Sequence, residues 1–230
     1  MATAVLDSES IEQLNKQAWD TLYGQTDQLI WGNEPLQFVR QAFQQISPLL
    51  PKQPLLLDAA TGEGRNLPML FEFSDRVIAC DASRNALDKL NRNFPEVRTE
   101  LCDLAATGFP ADSFDSVLAC DVIETLPNLS DVLAEFHRVI KPRGFLVCNV
   151  PDMQDGIAGQ NMEPIEQDEF MYQNRFFFRF QTKNEFIDFL IESGFRVFSD
   201  FSSTWTENAH PEYRQEAHSH TSRIFIAQNL

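Results

Sequence analysis

No apolar run in this sequence approaches the roughly 20 residues that a membrane span needs, and the opening MATAVLDSESIEQ lacks the basic flank and apolar core of a signal peptide. These absences predict a soluble, cytoplasmic protein with no membrane partner. Cations are also scarce: 18 Lys and Arg stand against 34 Asp and Glu, a formal charge of −16. Binding to DNA or RNA rests on neutralising phosphates with Lys and Arg, so no nucleic-acid partner is expected. The acidity would suit a cationic ligand and equally serves solubility. The four cysteines, Cys80, Cys102, Cys120 and Cys148, include no close pair of the kind that zinc or redox motifs use. Each falls near the end of an apolar run, which predicts buried, reduced thiols. There is no internal repeat, and nothing reports the oligomeric state. With 230 residues and 43% hydrophobic content the chain can bury one core and needs no second domain.

What is present between residues 54 and 150 is an alternation of short apolar runs with amphipathic stretches, the pattern of a parallel sheet covered by helices. PLLLDA (54–59), RVIACD (76–81), RTELCD (98–103), DSVLACD (115–121) and GFLVCNV (144–150) read as five strands. Ser83 and Ser130 are expected helix caps, and KPRG (141–144) is expected to end a helix and turn into the fifth strand. Residues 151–181 show no clean period. TKNEFIDFLIESG opens with a capping box from Thr182 to Glu185, and FRVFSDFSS and SRIFIAQ follow as two last strands. Before residue 54, helices are expected from the Ser10–Gln13 box and from Pro35.

LLLDAATGEGRN runs a strand into an acid, then into two glycines one residue apart, then into a helix. In a parallel sheet, ligands bind at the carboxyl ends of the strands, where the chain turns tightly and the backbone approaches the ligand. A nicotinamide cofactor calls for a third glycine at a position held here by Leu67, which argues against a dehydrogenase. Asp58, Asp81 and Asp103 close three consecutive strands. An acid at the second position can accept both hydroxyls of a ribose, and one at the third can accept an adenine amine.

On these residues the chain resembles the class I S-adenosylmethionine-dependent methyltransferases. Asp58, Gly62 and Gly64 match the acid–x–Gly–x–Gly–x–Gly loop, with Ala60 in place of the first glycine and Arg65 just after. The resemblance puts the ribose acid on Asp81 with Ala82 beside it, the adenine side on Asp103 and Leu104, and the edge of strand four on Cys120 and Asp121. It implies an α/β, Rossmann-like seven-stranded sheet with strand seven antiparallel and helices on both faces. It also implies an N-terminal helical lid (1–45), a core (54–150), a cap insertion after strand five (151–181), and a C-terminal helix and hairpin (182–230). WDTLYGQTDQLIWGNEPLQFV and HPEYRQEAHSHTSRIFIA look like segments of the tellurite-resistance and thiopurine-type branch, in which an aromatic segment bearing Trp31 closes over the cofactor.

The implied function is methyl transfer from S-adenosyl-L-methionine to a small molecule. Nitrogen of an amine or guanidine is favoured because of the acidity, with a sulfur or chalcogen acceptor as the alternative and a non-catalytic nucleotide-binding scaffold as the rival. HPEYRQEAHSH (210–220) holds three of the four histidines. The family topology places this segment on the ligand rim, where period two puts His218 and His220 on one face. With Asp121 they are the expected catalytic residues, and no metal site is expected.

Overall fold

The computed structural model describes residues 7–152, 155, 161–210 and 212–230. Strands β1 (Leu56–Ala59), β2 (Val77–Asp81), β3 (Arg98–Leu101), β4 (Phe114–Ala119) and β5 (Ile140–Pro151) lie parallel in the order β3-β2-β1-β4-β5. Every residue of β1, β2 and β4 is buried, so both sheet faces need cover, and crossover helices supply it. Strands β6 (Met162–Glu166), β7 (Glu169–Tyr172) and β8 (Phe176–Arg179) form a separate antiparallel sheet, and β9 (Phe195–Glu207) and β10 (His218–Asn229) complete the large one. β10 runs antiparallel to both β5 and β9, giving the expected seven strands with the last reversed.

The two-residue period divides the core. Leu57 and Val117 face a layer built by Val132, Leu133 and Phe136 of α5 (Leu129–Val139) with Phe186 and Leu190 of α6 (Lys183–Glu192). Leu56 and Leu118 face the opposite layer, with Phe38, Val39 and Phe43 of α2 (Gln37–Ile46) and Leu87 and Leu90 of α4 (Arg84–Asn93). Ser83 caps α4 through its side chain, and Thr182 and Glu185 form the expected box on α6. All four cysteines are free thiols.

Several local expectations shift. α1 (Ser8–Gly24) is capped by Asp7, whose carboxylate accepts from the Ser10 amide at 2.9 Å, so the Ser10–Gln13 box lies inside the helix. Ser130 is likewise internal, because α5 starts one residue earlier. KPRG belongs to β5 itself, where a shift of register against β4 absorbs the turn. The aperiodic stretch 162–179 is the small sheet. Phe176 and Phe178 pack against Ala18 and Leu22 of α1, while Phe177 packs against Ile11 and Met171, so both faces of β8 are covered and no alternation survives. Residues 153–154 and 156–160 of the expected cap lie outside the described residues.

Gly64 shows how tightly the first turn is seated on α4. Its φ is +87°, and a Cβ there would lie 2.9 Å from Leu67 at the start of α3 (Leu67–Leu70), 3.1 Å from Leu90 and 3.2 Å from Phe94. Gly64→Ala should therefore cost about 2–4 kcal/mol, combining left-handed strain with overpacking. Urea unfolding would read this as a lower midpoint, and an unchanged midpoint would refute it.

Candidate active site

At the carboxyl end of β1 the chain turns through Ala60, Thr61 and Gly62, with φ of +54° at Ala60 and +55° at Gly62. Local hydrogen bonds fix the turn. The Thr61 hydroxyl donates to Asp58 at 2.7 Å, and the Gly62 amide donates to Asp81 Oδ2 at 2.8 Å. The second Asp81 oxygen accepts from the Ser83 amide at 2.8 Å. A Cβ on Gly62 would fall 2.8 Å from the Tyr23 hydroxyl, so the absence of a side chain lets α1 close on the turn. Burial pushes Asp58 up to about 7, against the Thr61 hydrogen bond and with help from neighbouring Asp81. Burial raises Asp81 too, opposed by the amides it accepts from.

Above this turn lies a cavity of about 200 Å³. Asp58, Ala60, Gly62, Arg65, Asp81 and Ala82 line it from β1 and β2, and Asp103, Leu104, Cys120 and Asp121 line it from the next two crossovers. Trp31, His218 and His220 close its far side. The topology thus brings together every expected site residue except Gly64, which packs on the helix side instead.

Several of these residues have protein partners. Asp103 pairs with Lys16 of α1 at 2.5 Å and accepts the Ala105 amide at 2.9 Å. Arg65 donates to Glu207 at 2.5 Å and to the Glu34 carbonyl at 2.8 Å. The Trp31 indole donates to the Tyr23 hydroxyl at 2.9 Å. Asp121 sits at φ +50° and exchanges hydrogen bonds with the Asn149 amide group. Its residue surface is exposed where it borders the cavity, while desolvation by the surrounding side chains raises its carboxyl above the ordinary range, with His220 opposing. His220 stacks on Trp205 and lies 3.3 Å from Asp155; its pairing with that acid overcomes burial and raises its basicity. His218 is shifted the other way, chiefly by burial.

Two features escaped the sequence, and a third was named in it without its present role. Glu63, between the two glycines, pairs with Lys89 at 2.8 Å with both side chains nearly fully buried, and it also accepts the Ile30 amide. Lys89 reaches the Gln28 carbonyl, so the pair ties the segment before Trp31 to the core, and removal of either partner would strand a buried charge. Glu207 ends β9 beneath Arg65. Glu124, on the turn after β4, is buried in the cavity wall with one carboxylate oxygen lacking any partner, as is the Trp19 indole nitrogen. Burial, reinforced by Asp121 and Asp155, raises Glu124 well above the usual carboxylate range. In the sequence Glu124, three residues past the acid that ends strand four, is one of several acids that could form a negative mouth for an amine or guanidine, with nothing to single it out.

Among the described residues no helix is long and apolar enough to cross a membrane. Residues 57–148 match the family described as Methyltransferase domain, less than half of the chain. The chain is 32% identical over 97 residues to the ubiquinone/menaquinone biosynthesis C-methyltransferase of Desulfotalea psychrophila, covering 40% of this chain and 39% of that one. It is 28% identical over 127 residues to the trans-aconitate 2-methyltransferase of Azoarcus sp., covering 52% and 50%. It thus spans about half or less of these curated relatives. The solved 1,6-didemethyltoxoflavin-N1-methyltransferase of Burkholderia thailandensis superposes with a TM-score of 0.68 at 18% identity, over 100% of this chain and 93% of that one. In sequence over residues 57–148, and in fold over its whole length, the chain is similar to methyltransferases of the Rossmann-like class.

Proposed function

We propose that this protein is an S-adenosyl-L-methionine-dependent methyltransferase acting on a small molecule, with nitrogen as the acceptor. The reading is carried by one arrangement: the positive-φ turn of Gly62 opens into a cavity beside the buried carboxylate of Asp81, at the carboxyl edge of parallel strands. These residues suit the cofactor. The close approach of backbone at Gly62 leaves room for its amino-acid portion, Asp81 keeps lone pairs for ribose hydroxyls, and Ala82, Leu104 and Cys120 offer an apolar slot for the base. When bound, it supplies a methyl group already activated on a sulfonium. A surrounding of Asp58, Asp81 and Asp121 is compatible with that positive charge.

The chain's own residues then have to align an acceptor and take up its proton. The unpartnered Glu124 oxygen is placed to accept a hydrogen bond from an acceptor N–H, and the Trp19 indole can donate to an oxygen or nitrogen of the same molecule. Asp121 and His220 extend the acidic, hydrogen-bonding wall, and these acids favour an amine or guanidine over a phosphate or carboxylate substrate. In this reading residues 1–45 act as the lid, which Glu63 and Lys89 tie down at Ile30 and Gln28, and the small sheet β6–β8 belongs to the cap. A sulfur or chalcogen acceptor rests on the aromatic lid alone, which no polar contact in the cavity favours.

Isothermal titration with S-adenosylhomocysteine, beside NADH as control, tests the cofactor; no heat with the former at millimolar concentration would overturn the assignment. A panel of amines, guanidines and thiols then tests the acceptor. Glu124→Gln should lower kcat on the accepted amine by about 100-fold or more while leaving S-adenosylhomocysteine affinity unchanged. Full turnover in that variant would remove Glu124 from the chemistry, and turnover of thiols alone would refute nitrogen.

A further inference from the structure

Glu207, His210 and His218 stand together beside the cavity, each buried, with one potential ligand atom from each lying within 4.8 Å of the others. What distinguishes them from an ordinary polar cluster is how the opposite end of each side chain is held. His210 Nδ1 lies 2.8 Å from the Ile30 carbonyl and His218 Nδ1 lies 2.9 Å from the Glu216 carbonyl. A carbonyl can only accept, so both Nδ1 atoms carry protons. Each ring therefore has its orientation fixed at Nδ1; His210 Nε2 faces Glu207, and the unprotonated nitrogen that this leaves His218 as a donor to a cation is Nε2. Glu207 is held in the same way: its Oε1 accepts from Arg65 at 2.5 Å and from the Trp205 indole at 2.9 Å, and Oε2 faces His210 Nε2 at 2.9 Å. Backbone carbonyls on the far nitrogen of each histidine and hydrogen bonds on the far oxygen of the carboxylate are the outer contacts that orient metal ligands.

We propose that Glu207, His210 and His218 form a binding site for a first-row divalent cation, of which Zn²⁺ is the reference, with an open coordination position toward the cavity. Two imidazoles and a carboxylate are a donor set used at open zinc sites, with ligand bonds of about 2.0–2.2 Å. A tetrahedral arrangement sets ligand atoms about 3.3 Å apart; the Glu207–His210 pair is already within that spacing, and drawing the trio in from its 4.8 Å span by about 1.5 Å completes it. Glu207 and His218 line the cavity, so the open position can take a water or a donor atom of the acceptor molecule. Arg65 on Glu207 and Arg214 near His218 are cations facing the site; Asp121, Glu124 and Asp155 are carboxylates of the same cavity region and offset them. His220 is directed at Asp155 and stays outside the set. The sequence set a metal aside because His210, His218 and His220 had no nearby Cys ligand and His218 and His220 would need a particular extended geometry to share one ion; the fold supplies a different trio, drawing Glu207 from the preceding strand. This site stands apart from the methyl-transfer assignment, since cation binding is read without cofactor or acceptor.

The competing arrangement is a closed contact in which His210 Nε2 simply donates to Glu207. Tag-free, chelator-stripped full-length protein titrated with Zn²⁺ against a chromophoric chelator distinguishes the two. One equivalent should bind, His210→Gln and His218→Gln should each weaken it by about tenfold or more, and His137→Gln, which alters a ring packed on Phe195, should bind like the parent. X-ray absorption at the zinc edge of the unmutated protein, which needs no variant to fold, should show imidazole nitrogen and oxygen scatterers. Failure of the parent to compete with the chelator, parent-like binding by both histidine variants, or sulfur scattering from the cysteines would each overturn the site.

Discussion

Asp81→Ala is expected to weaken S-adenosylhomocysteine binding by about 100-fold or more, since two hydrogen bonds to a charged group are worth about 1.5–3 kcal/mol each. The carboxylate does two jobs at once. It is the acceptor proposed for the ribose, and it holds the Gly62 and Ser83 amides at 2.8 Å, so the alanine also releases the turn that shapes the cavity. Asp81→Asn separates the two contributions, because its amide oxygen can keep one backbone contact while the charge is lost. Titration calorimetry reads both variants, and parent-like affinity in Asp81→Ala would remove Asp81 from the cofactor site. A melting curve accompanies the measurement, since loss of the Gly62 contact alone should lower stability without a selective effect on the ligand.

Asp58→Asn is expected to be more stable than the parent at pH 8, by up to about 4 kcal/mol, with the gap closing as the pH falls toward 4. The sign follows from burial. Asp58 titrates near 7 in the folded chain and at its ordinary value of 3.8 when unfolded. Below pH 4 both states hold the proton and nothing is lost. Between 4 and 7 the unfolded chain releases it first, so folding loses about 1.4 kcal/mol per pH unit, and above 7 the full cost persists. Asparagine escapes this titration while its oxygen can still accept from the Thr61 hydroxyl. Urea unfolding of both proteins from pH 4 to pH 8 tests the prediction, which fails if the two curves stay parallel. A carboxylate kept at such expense in the turn is what a site for a positively charged ligand would retain.

The parts of this site that were readable in advance are those whose partners lie close along the chain. Asp58 and Thr61 are three residues apart, Asp81 and Ser83 two apart, and the strand that delivers each acid is marked by its own apolar run. Period two also predicted that His218 and His220 share a face, and their rings do lie together, with centroids 4.7 Å apart. The unread parts depend on distant pairs. Arg65 and Glu207 are separated by 142 residues, His210 and Ile30 by 180, and Asn15 joins Thr125 and Phe177 across 110 and 162. The small sheet was hidden for another reason, since burial of both faces of β8 erased the alternation by which a strand is recognised.

The sequence by itself determined the order of the seven strands of the large sheet and the helices between them, the glycine turn and the succession of acids at strand ends, because periodicity, capping and φ preferences are local properties of the chain. Only the tertiary structure decided that Glu124 keeps an oxygen without a partner in the cavity wall, that Asp103 is bound by Lys16 and Glu207 by Arg65, and which histidines meet Glu207. Those outcomes depend on burial and on contacts such as Lys16–Asp103 and Arg65–Glu207, 87 and 142 positions apart, and on the backbone that holds each ring, as Ile30 holds His210 across 180, none of which leaves a mark on the local pattern.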